Sequence, residues 1–355
     1  MKIKDIHIDD YKVFKNFDIS FLDSNNEPLD LIVLAGINGC GKTTLFEFIT
    51  DKFKYINSKL NGNINVYIEE LGGDVNIKEG VYNLLKKTSG LGKVLFDARA
   101  FEEAVIYIKA QEEKTEDIKK EILKYIDALI FEKELSAKEA YKIVAEKIDN
   151  IFDGLDMQVK FHGLDRDKNI FFENELNEKI SIDELSTGEK ELLSKIFYLY
   201  ISDIKDSIIL IDEPEISLHP SWQNKIVKIY KNFAKQNNNQ IIIATHSPQI
   251  IASTPNESLR VLVKEDGKIK SISPDAYGMQ VNKALTDVMG VTELRDVEVQ
   301  QQYDKVKNMI LDNSYKSDTF KEELNILEQM MLNDNVDFGL LKLEILKRET
   351  NATGK

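Results

Sequence analysis

The stretch LIVLAGINGCGKTTLFEFITDKF, residues 31–53, contains the strongest structural pattern of this chain. It begins with an apolar run that does not alternate with polar residues, which is typical of a strand buried on both faces of a sheet. A glycine-rich loop follows directly, and a helical pattern follows the loop. The pattern G-x-x-x-x-G-K-[ST] between a buried strand and a helix predicts a phosphate-binding loop at residues 36–43.

The loop predicts specific contacts with a nucleotide. Its glycines allow the backbone N–H groups to point at a phosphate, and the positive end of the following helix supports the same charge. We expect Lys42 to bridge the β- and γ-phosphates and the Thr43 hydroxyl to ligate Mg²⁺. Cys40 is interpreted as a small loop residue rather than a regulatory thiol. The predicted nucleotide-binding residues of the loop are Asn38, Gly39, Cys40, Gly41, Lys42, Thr43 and Thr44.

A second motif places carboxylates at the end of another strand. Residues 208–214 read IILIDEP, an apolar strand that ends in Asp212 and Glu213. Asp212 is predicted as a Mg²⁺ ligand, and Glu213 as the base that polarises the attacking water. A further strand, QIIIAT at 240–245, leads into His246. Because two neighbouring strand ends would present Asp, Glu and His to one site, we predict that His246 senses the γ-phosphate.

Composition excludes several classes of protein. The chain has 355 residues with 42% hydrophobic and 30% charged residues, which is typical of a folded protein with one large domain or two. A net charge of -14 excludes a uniformly basic nucleic-acid coat but not a local basic groove. A single cysteine excludes an internal disulfide, and no apolar run is long enough to span a membrane, so we expect a cytoplasmic protein. The scattered histidines show no zinc spacing, so any metal should have oxygen ligands.

Strands alternate with helices along most of the chain, which predicts an α/β fold with a largely parallel core sheet. Residues 111–152 interrupt this order with a helical pattern that lacks Gly and Pro. We therefore divide the nucleotide-binding domain into residues 1–110 and 153–270, separated by a helical insertion at 111–152. Residues 271–355 are nearly all helical in pattern and are predicted to form a C-terminal helical module.

The stretch Leu185-Ser186-Thr187-Gly188-Glu189 resembles the LSGGQ signature of ABC-type ATPases, and it lies between the helical insertion and the Asp212 strand as in that family. The resemblance implies a P-loop NTPase of the ABC type that hydrolyses ATP with Mg²⁺. It also implies that Ser186 and Gly188 meet the γ-phosphate bound by another protomer, within a homodimer or higher homo-oligomer. A capping box, with Ser186 as N-cap and Glu189 at the third helical position, is a compatible interpretation.

Two longer blocks narrow the resemblance. DEPEISLHP at 212–220 and ATHSPQ at 244–249 are similar to motifs of RecF/SMC-like bacterial ATPases, which are related to the OLD family. Transporter ATPases usually have Asp where His219 stands. In the first strand pair, Lys12 occupies a position where the group often has Arg, and we include it among the nucleotide-binding residues. By the same resemblance, Gln111 is assigned as the glutamine that senses Mg²⁺ and the attacking water.

Residues 275–282, DAYGMQVN, resemble small ATPases of bacterial anti-phage systems, notably the Septu type, which work beside an HNH nuclease and sometimes a retron. The resemblance implies a switch that controls an HNH-type nuclease partner, with DNA or retron nucleic acid as a further partner and no membrane partner. OLD nucleases carry an acidic nuclease domain that we do not expect in this chain. Two alternatives stay open, namely a RecF/SMC-like DNA-repair clamp and the cytosolic ATPase subunit of a transporter, although LHP at 218–220 argues against the transporter.

Overall fold

The computed structural model divides into two compact units, Met1–Gly290 and Val291–Lys355, which are described separately. The residues that the structure describes are 1–54, 60–68, 73–77, 104–108, 115–153, 159–165, 167–174, 176–201, 204–216, 218–291, 295–331 and 336–353. None of the helices within these ranges has both the length and the apolar character needed to cross a membrane.

The described residues of the first unit form three sheets and several helices. Its strands are β1 (Lys2–Tyr11), β2 (Phe14–Ser20), β3 (Leu31–Ala35), β4 (Asn61–Ile68), β5 (Gly73–Ile77), β6 (Val105–Ile108), β7 (Val159–Leu164), β8 (Ile170–Asn174), β9 (Lys179–Ser181), β10 (Ile208–Asp212), β11 (Gln240–Ala244), β12 (Leu259–Glu265) and β13 (Lys268–Ile272). Its longer helices are α1 (Lys42–Lys54), α2 (Thr115–Phe131), α3 (Ala137–Asp153), α4 (Thr187–Ile201), α5 (Pro220–Gln236) and α6 (Pro248–Ser253). Shorter helical turns are Ile182–Glu184, Asn256–Ser258, Val281–Lys283 and Ala284–Val288.

The central sheet has the strand order β13-β12-β3-β11-β10-β6. Strands β12, β3, β11, β10 and β6 are parallel, and only β13 at one edge pairs antiparallel with its neighbour. Every residue of β3, β10 and β11 is buried, as expected for parallel strands that are covered on both faces. The predicted α/β fold with a largely parallel core sheet is therefore confirmed.

Alternate residues of the central strands enter two separate cores. Ile32 and Leu34 of β3 pack in one core with Phe46 and Ile49 of α1. This core also contains apolar residues of the antiparallel sheet β2-β1-β4-β5. Helix α1 therefore packs among apolar side chains of both sheets. It begins at Lys42, directly after the loop that follows β3.

The other core lies on the opposite face of the central sheet. It contains Leu31 and Val33 of β3 together with residues of α2 to α6 and of the antiparallel sheet β7-β8-β9. Residues 115–153 form the two helices α2 and α3, and their buried residues have helical spacing. These residues are Ile118, Ile122, Ile126, Leu129, Ala140, Val144 and Ile148.

The second unit consists, in its described part, of α7 (Val297–Leu311), α8 (Asp318–Met330) and α9 (Val336–Thr353). Its own core includes Phe320, Leu327 and Phe338. The unit begins at Val291, twenty residues after the start of the helical module that we predicted at 271. The difference arises because Ala284 and Val288 are buried in the core of the first unit.

Candidate active site

The loop at residues 36–43 connects β3 to α1 and depends on glycine at two points. Gly36 has φ 144°, and a Cβ atom there would lie 2.6 Å from the carbonyl oxygen of Leu262. Gly41 has φ 91°, and a Cβ atom there would lie 2.8 Å from Val13 and 2.9 Å from Phe14. Because both positions combine positive φ with a close neighbour, only glycine fits them without displacement. The loop therefore follows the curled path that a phosphate-binding loop needs.

The other loop residues differ in exposure. Asn38 and Gly39 are exposed, and Thr44 is partly buried at the beginning of α1. Cys40 is buried, with only 2% of its surface exposed, and its N–H donates to the Ile37 carbonyl. The burial agrees with the interpretation of Cys40 as a packing residue of the loop.

Lys42 is the first residue of α1, and its side chain turns back toward the loop. The Nζ atom donates to the Gly36 carbonyl at 2.8 Å and lies 3.3 Å from Nδ1 of His246. Only 6% of the residue is exposed, and this burial lowers the pKa of the Lys42 ammonium. The Lys42 ammonium is thus held beside the loop, and its hydrogen-bond donors point toward the loop interior. The oxygens of a phosphate bound there would be strong acceptors for these donors.

Thr43, Asp212 and Tyr107 form a hydrogen-bonded cluster. The Thr43 hydroxyl donates to Oδ2 of Asp212 at 2.9 Å, and the Tyr107 hydroxyl donates to the same oxygen at 3.1 Å. Burial and the Asp212 charge raise the pKa of Tyr107, so the phenol stays protonated as a donor. The hydroxyl and the carboxylate are hard oxygen ligands, which is the donor set that Mg²⁺ prefers.

Glu213 has an unusual backbone conformation directly after β10. Its φ is 47°, in the left-handed region that costs a residue with a side chain about 1–2 kcal/mol. The N–H of Glu213 donates to the Ala244 carbonyl at 2.8 Å, which ties it to the end of β11. Backbone strain of this kind is concentrated at functional sites. The turn leaves the Glu213 carboxylate Oε1 3.5 Å from Nε2 of His246.

His246 lies between Lys42 and Glu213. Burial and the Lys42 charge lower the pKa of His246 below its ordinary value of 6.5, so the imidazole is neutral at pH 7. Because an ammonium has donors only, a hydrogen bond between Lys42 and His246 makes Nδ1 the acceptor. In this tautomer the ring proton is on Nε2, which faces the Glu213 carboxylate.

Glu215 is a residue of this site whose role we did not predict from the sequence, although it lies in the quoted block at 212–220. Its Oε1 atom accepts from the Thr245 hydroxyl at 2.6 Å, from the His246 N–H at 2.7 Å and from the Ser247 N–H at 3.1 Å. Ser247 in turn caps α6, since its side chain accepts from the Ile250 N–H. One carboxylate oxygen thus holds three consecutive residues around His246.

The stretch at 185–189 forms a capping box at the start of α4. The Ser186 N–H donates to the Glu189 carboxylate at 2.7 Å, and the Glu189 N–H donates to the Ser186 hydroxyl at 3.3 Å. Ser186 is exposed and Gly188 is partly exposed. In the hydrogen bonds of the described residues the Ser186 hydroxyl only accepts, so its proton is available for a ligand.

The structure therefore brings together Lys42, Thr43, Asp212, Glu213 and His246. Lys12, by contrast, is exposed in the turn between β1 and β2, where its Nζ atom pairs with Glu47 of α1 at 2.6 Å. Gln111 lies outside the described residues. The roles of all these residues, including Ser186 and Gly188, stay predictions.

Comparisons with known proteins show a partial family match and a shared fold. Residues 126–252 match a family model described as "AAA domain, putative AbiEii toxin, Type IV TA system". The SMC head in the structure "SmcHead bound to the C-winged helix domain of ScpA" has the same fold, with a TM-score of 0.53, 15% identity, and coverage of 77% of this chain and 98% of that chain. The shared fold confirms the predicted fold class, an α/β fold of the P-loop type.

The chain is also similar in sequence to two named proteins, in each case over part of its length. It is 28% identical over 229 residues to Septu protein PtuA of Bacillus thuringiensis, covering 57% of this chain and 56% of PtuA. It is 32% identical over 125 residues to the Retron Vc95 probable ATPase of Vibrio cholerae serotype O1 biovar El Tor, covering 30% of this chain and 23% of that protein. The chain spans about half or less of the length of these relatives. The resemblance to ATPases of the Septu and retron type is confirmed.

Proposed function

We propose that the protein is an ATP-hydrolysing switch that dimerises around bound nucleotide and controls a partner nuclease in anti-phage defence. One observation carries the proposal of hydrolysis. Lys42, His246 and Glu213 are linked in series, with 3.3 Å between Lys42 Nζ and His246 Nδ1 and 3.5 Å between His246 Nε2 and Glu213 Oε1. A phosphate-binding cation, a neutral imidazole and a carboxylate base are thus adjacent at the ends of parallel strands.

The residues of the loop fit a nucleotide with Mg²⁺. Lys42 would donate to the phosphate oxygens, while Thr43 and Asp212 would hold Mg²⁺, which neutralises charge on the phosphates when it is bound. Within the described ranges, no three residues of the types His, Cys, Asp and Glu cluster in a way that could hold a metal. Phosphate oxygens and water, with the predicted Gln111, would complete the coordination beside Thr43 and Asp212, so we expect Mg²⁺ binding to depend on the nucleotide.

Tyr107→Phe is expected to raise the Mg²⁺ concentration needed for half-maximal nucleotide binding by about tenfold. Loss of a residue that hydrogen-bonds to a metal ligand weakens metal binding by about 10–100-fold, and we expect the lower end of this range. The substitution removes the donor to Asp212 Oδ2 but keeps the ring that packs edge-on against Phe46 at 5.7 Å. Fluorescent-nucleotide binding at a series of Mg²⁺ concentrations measures the effect.

Tyr200→Phe is the matched control for this experiment, since Tyr200 lies on α4 and its ring packs against Phe233. A Mg²⁺ dependence unchanged in Tyr107→Phe would show that Asp212 needs no support from the phenol. Binding that weakens equally with and without Mg²⁺ would also contradict the role, because it would place the effect in the loop rather than in the metal ligand.

For hydrolysis, the chain supplies a base and a means of orienting it. The Glu213 carboxylate would accept a proton from the attacking water. The Nε2 proton of His246 faces one carboxylate oxygen, which favours a single orientation of the base. Because Glu213 and His246 are about one third and one quarter exposed, with side-chain values of 34% and 27%, water reaches both groups.

Dimerisation rests on the signature stretch. Ser186 is exposed at the beginning of α4, where backbone N–H groups and an available hydroxyl proton favour an anion. The resemblance to ABC-type ATPases supports the γ-phosphate of a second protomer as that anion. The closed state would then need two chains, since each phosphate loop would be completed by the Ser186 and Gly188 of the other chain.

Ser186→Arg is expected to abolish ATP-dependent dimers while each chain still binds ATP. The long side chain would occupy the space that the facing nucleotide enters, and the donor hydroxyl is lost. Sedimentation or light scattering of the variant with Mg²⁺ and ATP gives the oligomeric state, and nucleotide titration gives the affinity. ATP-dependent association equal to that of the wild type would contradict the signature role.

Ser136→Arg provides a control with the same local chemistry. Ser136 is exposed and forms an equivalent capping box at the start of α3, with its N–H on the Glu139 carboxylate at 2.9 Å and the Glu139 N–H on its hydroxyl at 3.3 Å. Both substitutions remove a cap that contributes about 1 kcal/mol to stability. Only the change at Ser186 should affect dimerisation.

The proposed control of an HNH-type nuclease is supported by the similarity to Septu PtuA and to a retron ATPase. Co-purification from the native host, with a Glu213→Gln chain and ATP as bait, tests it. Recovery of an HNH nuclease, with or without a reverse-transcribed DNA, is the expected result. Recovery of DNA and repair factors alone would instead favour the RecF/SMC-like clamp and overturn the role in defence.

A further inference from the structure

Glu215 connects the segment that carries the base with the segment that carries His246. It lies two residues after Glu213, and its Oε1 atom accepts from three donors on residues 245–247 at 2.6 to 3.1 Å. Two of these donors are the backbone N–H groups of His246 and Ser247. The contact therefore fixes the path of the backbone at His246 and not only a side-chain rotamer.

The second oxygen of this carboxylate lowers the stability of the fold. The Oε2 atom is buried and has no hydrogen-bond partner among the described residues, and the same is true of the buried Tyr230 hydroxyl. Burial raises the pKa of Glu215, and burial together with the Glu215 charge raises that of Tyr230. A buried polar atom without a partner destabilises the fold. An apolar residue would avoid that cost only by leaving the three donors of residues 245–247 without their acceptor, so the contribution of the carboxylate here is the hold of Oε1 on that segment.

We propose that Glu215 is a positioning residue that holds His246 between Lys42 and Glu213. The inference rests on the proposed function, because it assigns Glu215 to the same hydrolytic site. The distances to His246 are 3.3 Å from Lys42 and 3.5 Å from Glu213, and both depend on the backbone position that Glu215 fixes. Glu215 touches neither the phosphate loop nor the reacting atoms in this assignment; it acts through the 245–247 segment.

Two substitutions of Glu215 distinguish the effect of its acceptor oxygen from the effect of its charge. Glu215→Gln keeps an acceptor oxygen and gives a second atom that can donate, so the 245–247 segment should stay in place. Glu215→Met has a similar length and no strong acceptor, so the three donors lose their partner. We expect Glu215→Met to lower kcat by about 10–100-fold through loss of orientation, without a matching loss of ATP affinity, and Glu215→Gln to restore kcat.

The imidazole itself gives a second readout that needs neither nucleotide nor hydrolysis. The groups that face His246 are Lys42, Glu213, Asp212 and the backbone of Gly36. Its pKa is low because of burial and the Lys42 charge. In Glu215→Met the released imidazole should titrate at higher pH, whereas removal of a negative charge alone would lower that pKa. NMR titration of the four histidines, with His246 identified by its loss in His246→Asn, measures the shift.

Thr245→Val tests the contact of Glu215 with the 245–247 segment by a smaller change. It removes one of the three donors from a fully buried site with little change of side-chain shape. We expect smaller changes in kcat and in the His246 titration, in the same direction as in Glu215→Met. Wild-type kcat and an unchanged His246 titration in both variants would overturn the positioning role, as would a Glu215→Gln variant as impaired as Glu215→Met. If the wild-type protein does not hydrolyse ATP, the proposed function fails, while the His246 titration still decides whether Glu215 positions the imidazole.

Discussion

Glu213→Gln is expected to bind ATP as the wild type does and to hydrolyse it about 10²–10⁴-fold more slowly, the usual contribution of a general base. The amide has nearly the shape of the carboxylate, and its oxygen can still accept from His246 Nε2, but it cannot take a proton from water. The substitution leaves in place the residues proposed to hold Mg²⁺, which are Thr43, Asp212 and the predicted Gln111. The defect should therefore appear in kcat and not in nucleotide affinity.

Single-turnover hydrolysis with excess protein, together with an ATP titration, separates the two quantities. Glu265→Gln is the matched control, because Glu265 is an exposed residue of β12 that pairs with Lys270 on the neighbouring strand. Its rate should equal that of the wild type. A Glu213→Gln chain that hydrolyses ATP at the normal rate would move the base to another residue.

The same variant should accumulate the nucleotide-bound dimer, since closure would proceed but the product state would not form. This outcome would link ATP hydrolysis to dimerisation, the two parts of the proposed switch. Adding Ser186→Arg to Glu213→Gln should return the protein to monomers that still hold ATP. A double variant that remains dimeric would show that the chains associate through a surface other than the signature stretch.

The fold and the main site were predictable because they follow from local patterns and from strand alignment. The phosphate loop is specified by glycines at positive φ, and its flanking strand and helix are specified by apolar periodicity. Asp212 and His246 come together because β10 and β11 are parallel and in register, with Asp212 opposite Ala244. Once the strands were predicted to be parallel neighbours, the meeting of their ends followed.

Tyr107, Glu215 and the left-handed turn at Glu213 were not predictable by the same reasoning. Tyr107 is opposite Leu210 on a neighbouring strand, and the apolar pattern of β6 does not show which side chain reaches Asp212. The contacts of Glu215 join segments about thirty residues apart through backbone N–H groups, which have no sequence signature. The left-handed conformation of Glu213 occurs together with its hydrogen bond to Ala244, a tertiary contact that the residue's own preference does not predict.

Lys42→Ala is expected to lower ATP affinity by about 100-fold or more, which corresponds to a loss of about 3 kcal/mol. The ammonium is buried, and its donors are directed toward the loop interior, so a charge-assisted contact with a phosphate would be little screened by water. Lys228→Ala, on the exposed face of α5, is the control and should bind ATP normally. Isothermal calorimetry with Mg²⁺ present measures both affinities.

The same substitution also tests the contact between Lys42 and His246 without nucleotide. The Lys42 charge is one cause of the low pKa of His246, second to burial, so its removal should raise that pKa toward 6.5. Lys228→Ala should leave it unchanged. A large loss of ATP affinity with an unchanged His246 titration would mean that Lys42 binds phosphate but does not contact the imidazole in solution. Retained affinity would contradict the phosphate loop itself, because Lys42 is the only residue of the loop at 36–43 with a cationic side chain.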